Sequence, residues 1–265
     1  MDSLAQLKAA QKEGWKHFAP LETVTTPSAA RLVRFAGVSA GARVLDVGCG
    51  TGVVAITAAR LGASVEAIDL TPQLLERARE NARVAKVDIE FREADAEDLP
   101  FRDGEFDIVV SQFAHMFAPR PDVAVAQMLR VLRFGGTIAF STWPPELLVG
   151  RTMQLAARYM PPPPPGIPSP ILWGDPQIVT ERLGSAVADI FFDRDSILVP
   201  ALTPQHFRMV IERSAGPIIK MIEALSTSDP ARLESYRAEF DAIVSQYMRD
   251  NLIRQGYLLT RARKG

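Results

Sequence analysis

The chain has a single cysteine, Cys49, which excludes an internal disulfide and removes any pointer to secretion. It also lacks a charge imbalance. Thirty lysines and arginines face 31 aspartates and glutamates, so no overall basic field marks it for nucleic acid. No stretch approaches the roughly 18 apolar residues of a membrane-spanning helix. Met1–Gln6 has no basic region leading into an apolar one, so no secretory signal is expected. The three histidines, His17, His115 and His206, show no metal-ligand spacing, and no metal is expected. What remains is the composition of a cytoplasmic globular protein. Its 265 residues suffice for one large α/β domain with an elaboration; the oligomeric state stays open.

The most informative stretch is Val44-Leu45-Asp46-Val47-Gly48-Cys49-Gly50-Thr51-Gly52, followed by a helix-like run from Val53. This reads as strand, tight loop, helix. Glycines let a ligand approach the backbone, and the helix start offers free N–H groups. A second apolar run, Ser64–Ile68, ends at Asp69, where a carboxylate can accept from both hydroxyls of a ribose. A third acid, Asp95, lies in Asp95-Ala96-Glu97-Asp98-Leu99-Pro100-Phe101. Phe106–Ser111 reads as a buried strand and residues 121–133 as a helix. Phe134-Gly135-Gly136 reads as a turn into the strand Thr137–Thr142. Strands and helices at this spacing predict a doubly wound parallel sheet.

Three strand-end acids behind one glycine loop, then Phe106-Asp107-Ile108-Val109-Val110-Ser111 and Leu132-Arg133-Phe134-Gly135-Gly136, resemble the class I S-adenosylmethionine-dependent methyltransferases. The small-molecule branch with the quinone methyltransferases is the nearest resemblance, and it covers roughly Gly41–Thr142. It implies a Rossmann-like, mostly parallel, seven-stranded α/β sheet with a final antiparallel strand, a place that Tyr257–Ala262 suits. It implies S-adenosylmethionine as cofactor and a small-molecule acceptor. Residue by residue, Asp46 would orient the loop or meet the amino group, and Gly48, Cys49, Gly50, Thr51 and Gly52 would cradle the methionine and ribose. Asp69, with Leu70 beside it, would hold the ribose. Asp95 and the Ala96 N–H would meet the adenine, and Ser111 and Gln112 would face the methionine end. Taken alone, each acid also suits helix capping. Cys49 is equally a packed residue, and Glu97 and Asp98 read as a solvated turn.

The flanks are read from pattern alone. Residues 1–35 are an N-terminal helical lid over a 36–145 core. Its first helix spans 3–18, with Leu4, Leu7, Trp15 and Phe18 apolar; packing on the core would explain the same residues. A second helix is expected over Ser28–Phe35. Thr71-Pro72 should cap the helix after the second strand. Beyond lies a 146–265 segment with the stiff Pro161–Pro170 loop, a strand over Ile190–Val199, and helices from Thr203 to Asn251 broken near Pro230. These late helices are expected to cap an acceptor pocket. Trp15, Phe18, Phe113, Met116, Phe117, Trp143 and Trp173 are its candidate walls, and they favour an apolar or aromatic acceptor. A general base would assist an oxygen or nitrogen acceptor, and His115, just past the fourth strand, is the first candidate. Three other readings stay open. A nicotinamide dehydrogenase would want G-x-G-x-x-G, a nucleic-acid methylase a basic surface, and a non-catalytic binding protein would keep the pocket alone.

Overall fold

The computed structural model describes residues 3–265; Met1 and Asp2, and the parts of the lid and signal readings that fall on them, lie outside the described residues. The strands are β1 (Arg43–Val47), β2 (Ser64–Asp69), β3 (Glu90–Glu93), β4 (Phe106–Gln112), β5 (Leu132–Thr142), β6 (Val187–Pro200), β7 (Met248–Arg249) and β8 (Leu252–Lys264). They form one sheet ordered β3-β2-β1-β4-β5-β8-β6, with the two-residue β7 paired to β8 off that path. Strands β1 to β5 run parallel, while β8 is antiparallel to both β5 and β6. The expected seven-strand, mostly parallel sheet is present, and β8 fills the expected antiparallel place.

Helices cover both sides of the sheet. In chain order they are α1 (Ser3–Trp15), α2 (Glu22–Phe35), α3 (Val53–Ala59), α4 (Pro72–Ala85), α5 (Pro121–Val131), α6 (Leu148–Ala157), α7 (Pro176–Leu183), α8 (Pro204–Ser214), α9 (Gly216–Ser228) and α10 (Pro230–Ser245). Val44, Leu45 and Val47 of β1 and Val109 and Val110 of β4 are fully buried, as the central strands of a two-sided sheet must be. The inner face of α2, with Ala29, Leu32 and Val33 at zero exposure, is part of this core.

Several boundaries differ from expectation, each for a local reason. Helix α1 stops at Trp15 instead of running to residue 18, because the N–H groups of His17 and Phe18 turn back to Gly14 and Trp15. Helix α2 begins at Glu22 and carries Pro27 in its interior. Thr71 stands at the start of α4 in extended conformation with Pro72 behind it, yet its hydroxyl makes no cap bond. Gly135-Gly136 sits inside β5, where the pairing with β4 shifts register between Phe106 and Ile108. The late helical region breaks twice, at the anticipated Asp229-Pro230 and also at the extended Ala215 before Gly216-Pro217. Pro161–Ser169 is irregular, with a turn at Pro164–Ile167.

Candidate functional site

The carboxyl ends of β1, β2 and β4 meet at the β1–α3 loop. The N–H groups of Gly48 and Cys49 both donate to the Ile68 carbonyl, at 2.9 and 2.8 Å, tying the loop to β2. Gly48 has φ +71°, and a Cβ there would lie 2.4 Å from the Ala114 Cβ; the loop after β4 rests directly on it. Gly50, at φ +55°, has nothing within 4 Å of where its Cβ would point. One glycine is therefore needed for a close approach within the protein, the other leaves open space above the bend.

Two buried acids bracket that bend. Asp46 is 1% exposed; its Oδ2 accepts the Ala55 N–H at 3.0 Å, and its Oδ1 has no partner. Burial pushes its carboxyl up to about 7, against the pull of the Ala55 N–H and with help from the Asp69 charge. Asp69 accepts the Gly50 N–H on Oδ2 and the Thr71 N–H on Oδ1, both at 2.8 Å. Burial raises its pKa too, opposed by those bonds. Across the bend, Gln112 donates to the Thr25 carbonyl at 3.0 Å while its buried Oε1 has no partner. Buried oxygens without donors are uncommon in folded proteins. Asp46 Oδ1, near the end of β1, and Gln112 Oε1, at the end of β4, are two such oxygens, and each could accept from a ligand's ammonium.

The other predicted cofactor residues divide. Asp95 Oδ1 accepts the Glu97 N–H at 2.9 Å, closing the turn that also carries Ala96. Cys49 packs in the core, its thiol pushed well up by burial. Thr51 is buried, and its carbonyl accepts from Asn81. Leu70 is half-buried at the end of β2. The Ser111 hydroxyl is committed inside the protein: it donates to the Val47 carbonyl at 2.7 Å and accepts the His115 N–H at 3.1 Å.

His115 does not lie where the sequence suggested. It is 2% exposed, against Phe140 at 4.4 Å and Trp173 at 4.6 Å between ring centroids, and neither ring nitrogen has a partner. Burial, with the Arg182 charge adding to it, lowers its pKa to about 3. A sealed imidazole of that basicity has no route to a substrate proton, so the general-base assignment is corrected to a core residue. Met116 and Trp173, each 1% exposed, are core residues as well. The cause is Phe113, which holds a left-handed φ of +54° and turns the chain so that Ala114 meets Gly48 and His115 dives beneath.

This placement makes a testable statement about stability. The unfolded imidazole takes up a proton below about 6.5, whereas the folded one waits until about 3, so acid costs the folded protein stability through this group. His115→Leu removes that loss. Its melting temperature minus that of the parent should therefore grow as pH falls from 7, reaching roughly 5–10 °C near pH 4.5. Asp46 titrates the other way but is common to both proteins. A difference that stays flat with pH would mean that the ring is solvated.

Aromatic side chains form two groups above β4 and β5. Phe113 stacks on Trp143 at 3.8 Å and 9°, with Tyr257 edge-on to both. Trp15, at the end of α1, meets Phe18 and Phe117 edge-on at 5.9 and 4.8 Å, and all three are half-buried. Sequence reasoning missed Glu97. Read as a solvated turn residue, it is 4% exposed and accepts from the Arg120 backbone N–H and Nε and from Lys8. Its partners lie 23 and 89 residues away, so no local signal marks it.

Comparison with known proteins fits this geometry. Residues 45–140 match the methyltransferase domain family. An uncharacterised protein of Mycobacterium tuberculosis is 37% identical over 244 residues, spanning 92% of this chain and 89% of that one. A ubiquinone biosynthesis O-methyltransferase of Xanthomonas oryzae is 41% identical over 104 residues, 39% of this chain and 44% of its own. Among solved structures, YcgJ of Bacillus subtilis superposes with a TM-score of 0.62 over 90% of this chain and 98% of that one, at 19% identity. The glycine bend, the strand-end acids and these similarities agree: the chain belongs to the S-adenosylmethionine-dependent methyltransferase family, with S-adenosylmethionine as its cofactor.

Proposed function

We propose that this enzyme methylates a small apolar or aromatic acceptor held over the ends of β4 and β5. S-adenosylmethionine supplies an electrophilic methyl on a sulfonium, which needs positioning and dryness more than a protein nucleophile. Asp46 Oδ1 and Gln112 Oε1 would receive the cofactor's ammonium. Asp69 would take the ribose hydroxyls, since each of its oxygens keeps a lone pair after accepting one N–H. Asp95 and the Ala96 N–H would meet the adenine. The observation that carries the acceptor reading is the half-buried aromatic group of Trp15, Phe18 and Phe117, while the Phe113–Trp143 stack that follows β4 and β5 is buried in the core. The name of the Xanthomonas relative, a ubiquinone biosynthesis O-methyltransferase, supports a phenolic or quinol acceptor. With His115 buried, the acceptor would shed its proton to water or enter ionised. A screen with tritiated methyl donor against phenols, hydroquinones, amines and carboxylic acids tests this. Labelling of phenols or hydroquinones is expected; labelling confined to amines or carboxylic acids overturns the acceptor class.

The Asp46 assignment has its own pH signature. With its carboxyl titrating at about 7 in the free protein, meeting an ammonium requires the ionised form. Cofactor binding should release up to one proton below pH 7 and almost none at pH 8.5. Affinity should fall up to tenfold per unit on the acid side. Calorimetry of S-adenosylhomocysteine binding in buffers of different ionisation enthalpy counts the proton. Asp46→Asn should bind more weakly and without the pH slope; a slope that survives in this variant removes Asp46 from the ammonium site.

A further inference from the structure

Helix α1 carries an unusual stripe. Lys8, Gln11, Lys12 and Trp15 recur at helical spacing on one face, so α1 presents polar groups to the protein as well as an indole. Each has a partner on the carboxyl rim of the sheet. The Lys8 ammonium donates to Asp95 Oδ2 at 2.6 Å and to Glu97 Oε2 at 2.5 Å. Gln11 donates to the Phe117 carbonyl at 2.9 Å, Lys12 pairs with Glu93, and Trp15 packs on Phe117. At the far end Gly14 crosses Gly216 of α9 so tightly that a Cβ on Gly216 would lie 2.3 Å from the Gly14 Cα. One helix thus touches the turn expected to take the adenine, the aromatic group expected to face the acceptor, and the late helical cap.

The Lys8 contact is built from both sides. Glu97 has no exposed side-chain surface and is fixed by Arg120, so it can hold an ammonium in place. Asp95 is 28% exposed at its side chain, and its Oδ1 is already set by the Glu97 N–H. Lys8 fixes the remaining oxygen, which keeps a second lone pair directed away from the ammonium. Burial works against the Lys8 charge, yet the bonds to Asp95 and Glu97 outweigh it and raise its pKa above the ordinary lysine value.

We propose that Lys8 is a positioning residue for the adenine end of the cofactor: it aims Asp95 and, through the same ammonium, latches α1 over the site. The inference rests on the reading of Asp95 given above. An adenine amino group that bonds to Asp95 completes a carboxylate already held by the lid, so adenine recognition and lid closure share one charge. A ligand without that amino group leaves Asp95 idle and gains nothing from Lys8.

The test compares S-adenosylhomocysteine with its purine-riboside analogue, in which hydrogen replaces the exocyclic amine and the ring offers no N1–H, by calorimetry on the full chain. Lys8→Met should weaken S-adenosylhomocysteine about tenfold and the purine analogue less than twofold, and Lys8→Arg should restore most of the difference. Amide exchange along α1 in the presence of S-adenosylhomocysteine should quicken in Lys8→Met and not in Lys8→Arg. Equal weakening of both ligands, or of neither, overturns the proposal. Asp95→Ala, which removes the acceptor altogether, separates the underlying reading. If it leaves the preference for the adenine ligand intact, Asp95 does not meet the adenine, whatever Lys8 does.

Discussion

Asp69→Ala should reduce affinity for S-adenosylhomocysteine by about a hundredfold or more, and should erase the preference for a ribose diol over a deoxyribose. The carboxylate is 8% exposed and fixed by two backbone donors, Gly50 N–H and Thr71 N–H, so its orientation is set before any ligand arrives. Hydrogen bonds to a buried charge contribute about 1.5–3 kcal/mol each, and each 1.4 kcal/mol is tenfold in affinity, so two hydroxyls account for that loss. The alanine variant also strands two buried N–H groups, which will lower its melting temperature. A drop in affinity alone therefore proves little. The discriminating measurement is the ratio between S-adenosylhomocysteine and its 2′-deoxy analogue. The parent should favour the diol at least tenfold, and the variant should bind the two alike. A variant that keeps the preference shows that the ribose lies elsewhere, and with it the reading of the β2 tip fails.

That tip was readable in the sequence because everything it needs is local. Val65 to Asp69 states a buried strand that ends in an acid, and Gly48 to Gly52 states a bend that only small residues allow. The parallel run of the sheet follows from strands that alternate with helices, and the antiparallel β8 from the resemblance. What the sequence concealed depends on residues far apart in the chain or on single dihedral angles. Glu97 looks solvated until Lys8 and Arg120 close on it. His115 looks like an active-site base until one φ angle at Phe113 rotates it into the core, and no periodicity announces a phenylalanine in left-handed conformation. The polar stripe of α1 has helical spacing, but its partners lie 81 to 106 residues away, beyond any local pattern. Ser111 stands where the family pattern expects a ligand contact, and its hydroxyl spends both of its bonds on β1 and on the turn that leads to His115.

Phe113 and Gly48 form one device, and Gly48→Ala tests it. The new methyl group meets the Ala114 Cβ at 2.4 Å, and an alanine must also hold a φ of +71°. The left-handed conformation costs about 1–2 kcal/mol and the overlap about 1–3 kcal/mol. Together they lower the melting temperature by roughly 5–20 °C in a chain of this size. The two costs separate in a double variant. Ala114→Gly removes the overlapping carbon and leaves the Ala114 Cα at 3.6 Å, an ordinary contact, while the dihedral cost at position 48 stays. Gly48→Ala with Ala114→Gly should therefore regain the steric part, a favourable coupling of about 1–3 kcal/mol by a double-mutant cycle, whereas Ala114→Gly alone should cost under about 1 kcal/mol. Binding of S-adenosylhomocysteine should recover along with the melting temperature. The reason is geometric: the Gly48–Ala114 contact joins the β1–α3 bend, which follows Asp46, to the turn after β4, which follows Gln112. If stability returns in the double variant and binding does not, Asp46 Oδ1 and Gln112 Oε1 do not share a ligand. If neither returns, the backbone angle alone carries the cost, and Ala114 only happens to lie close.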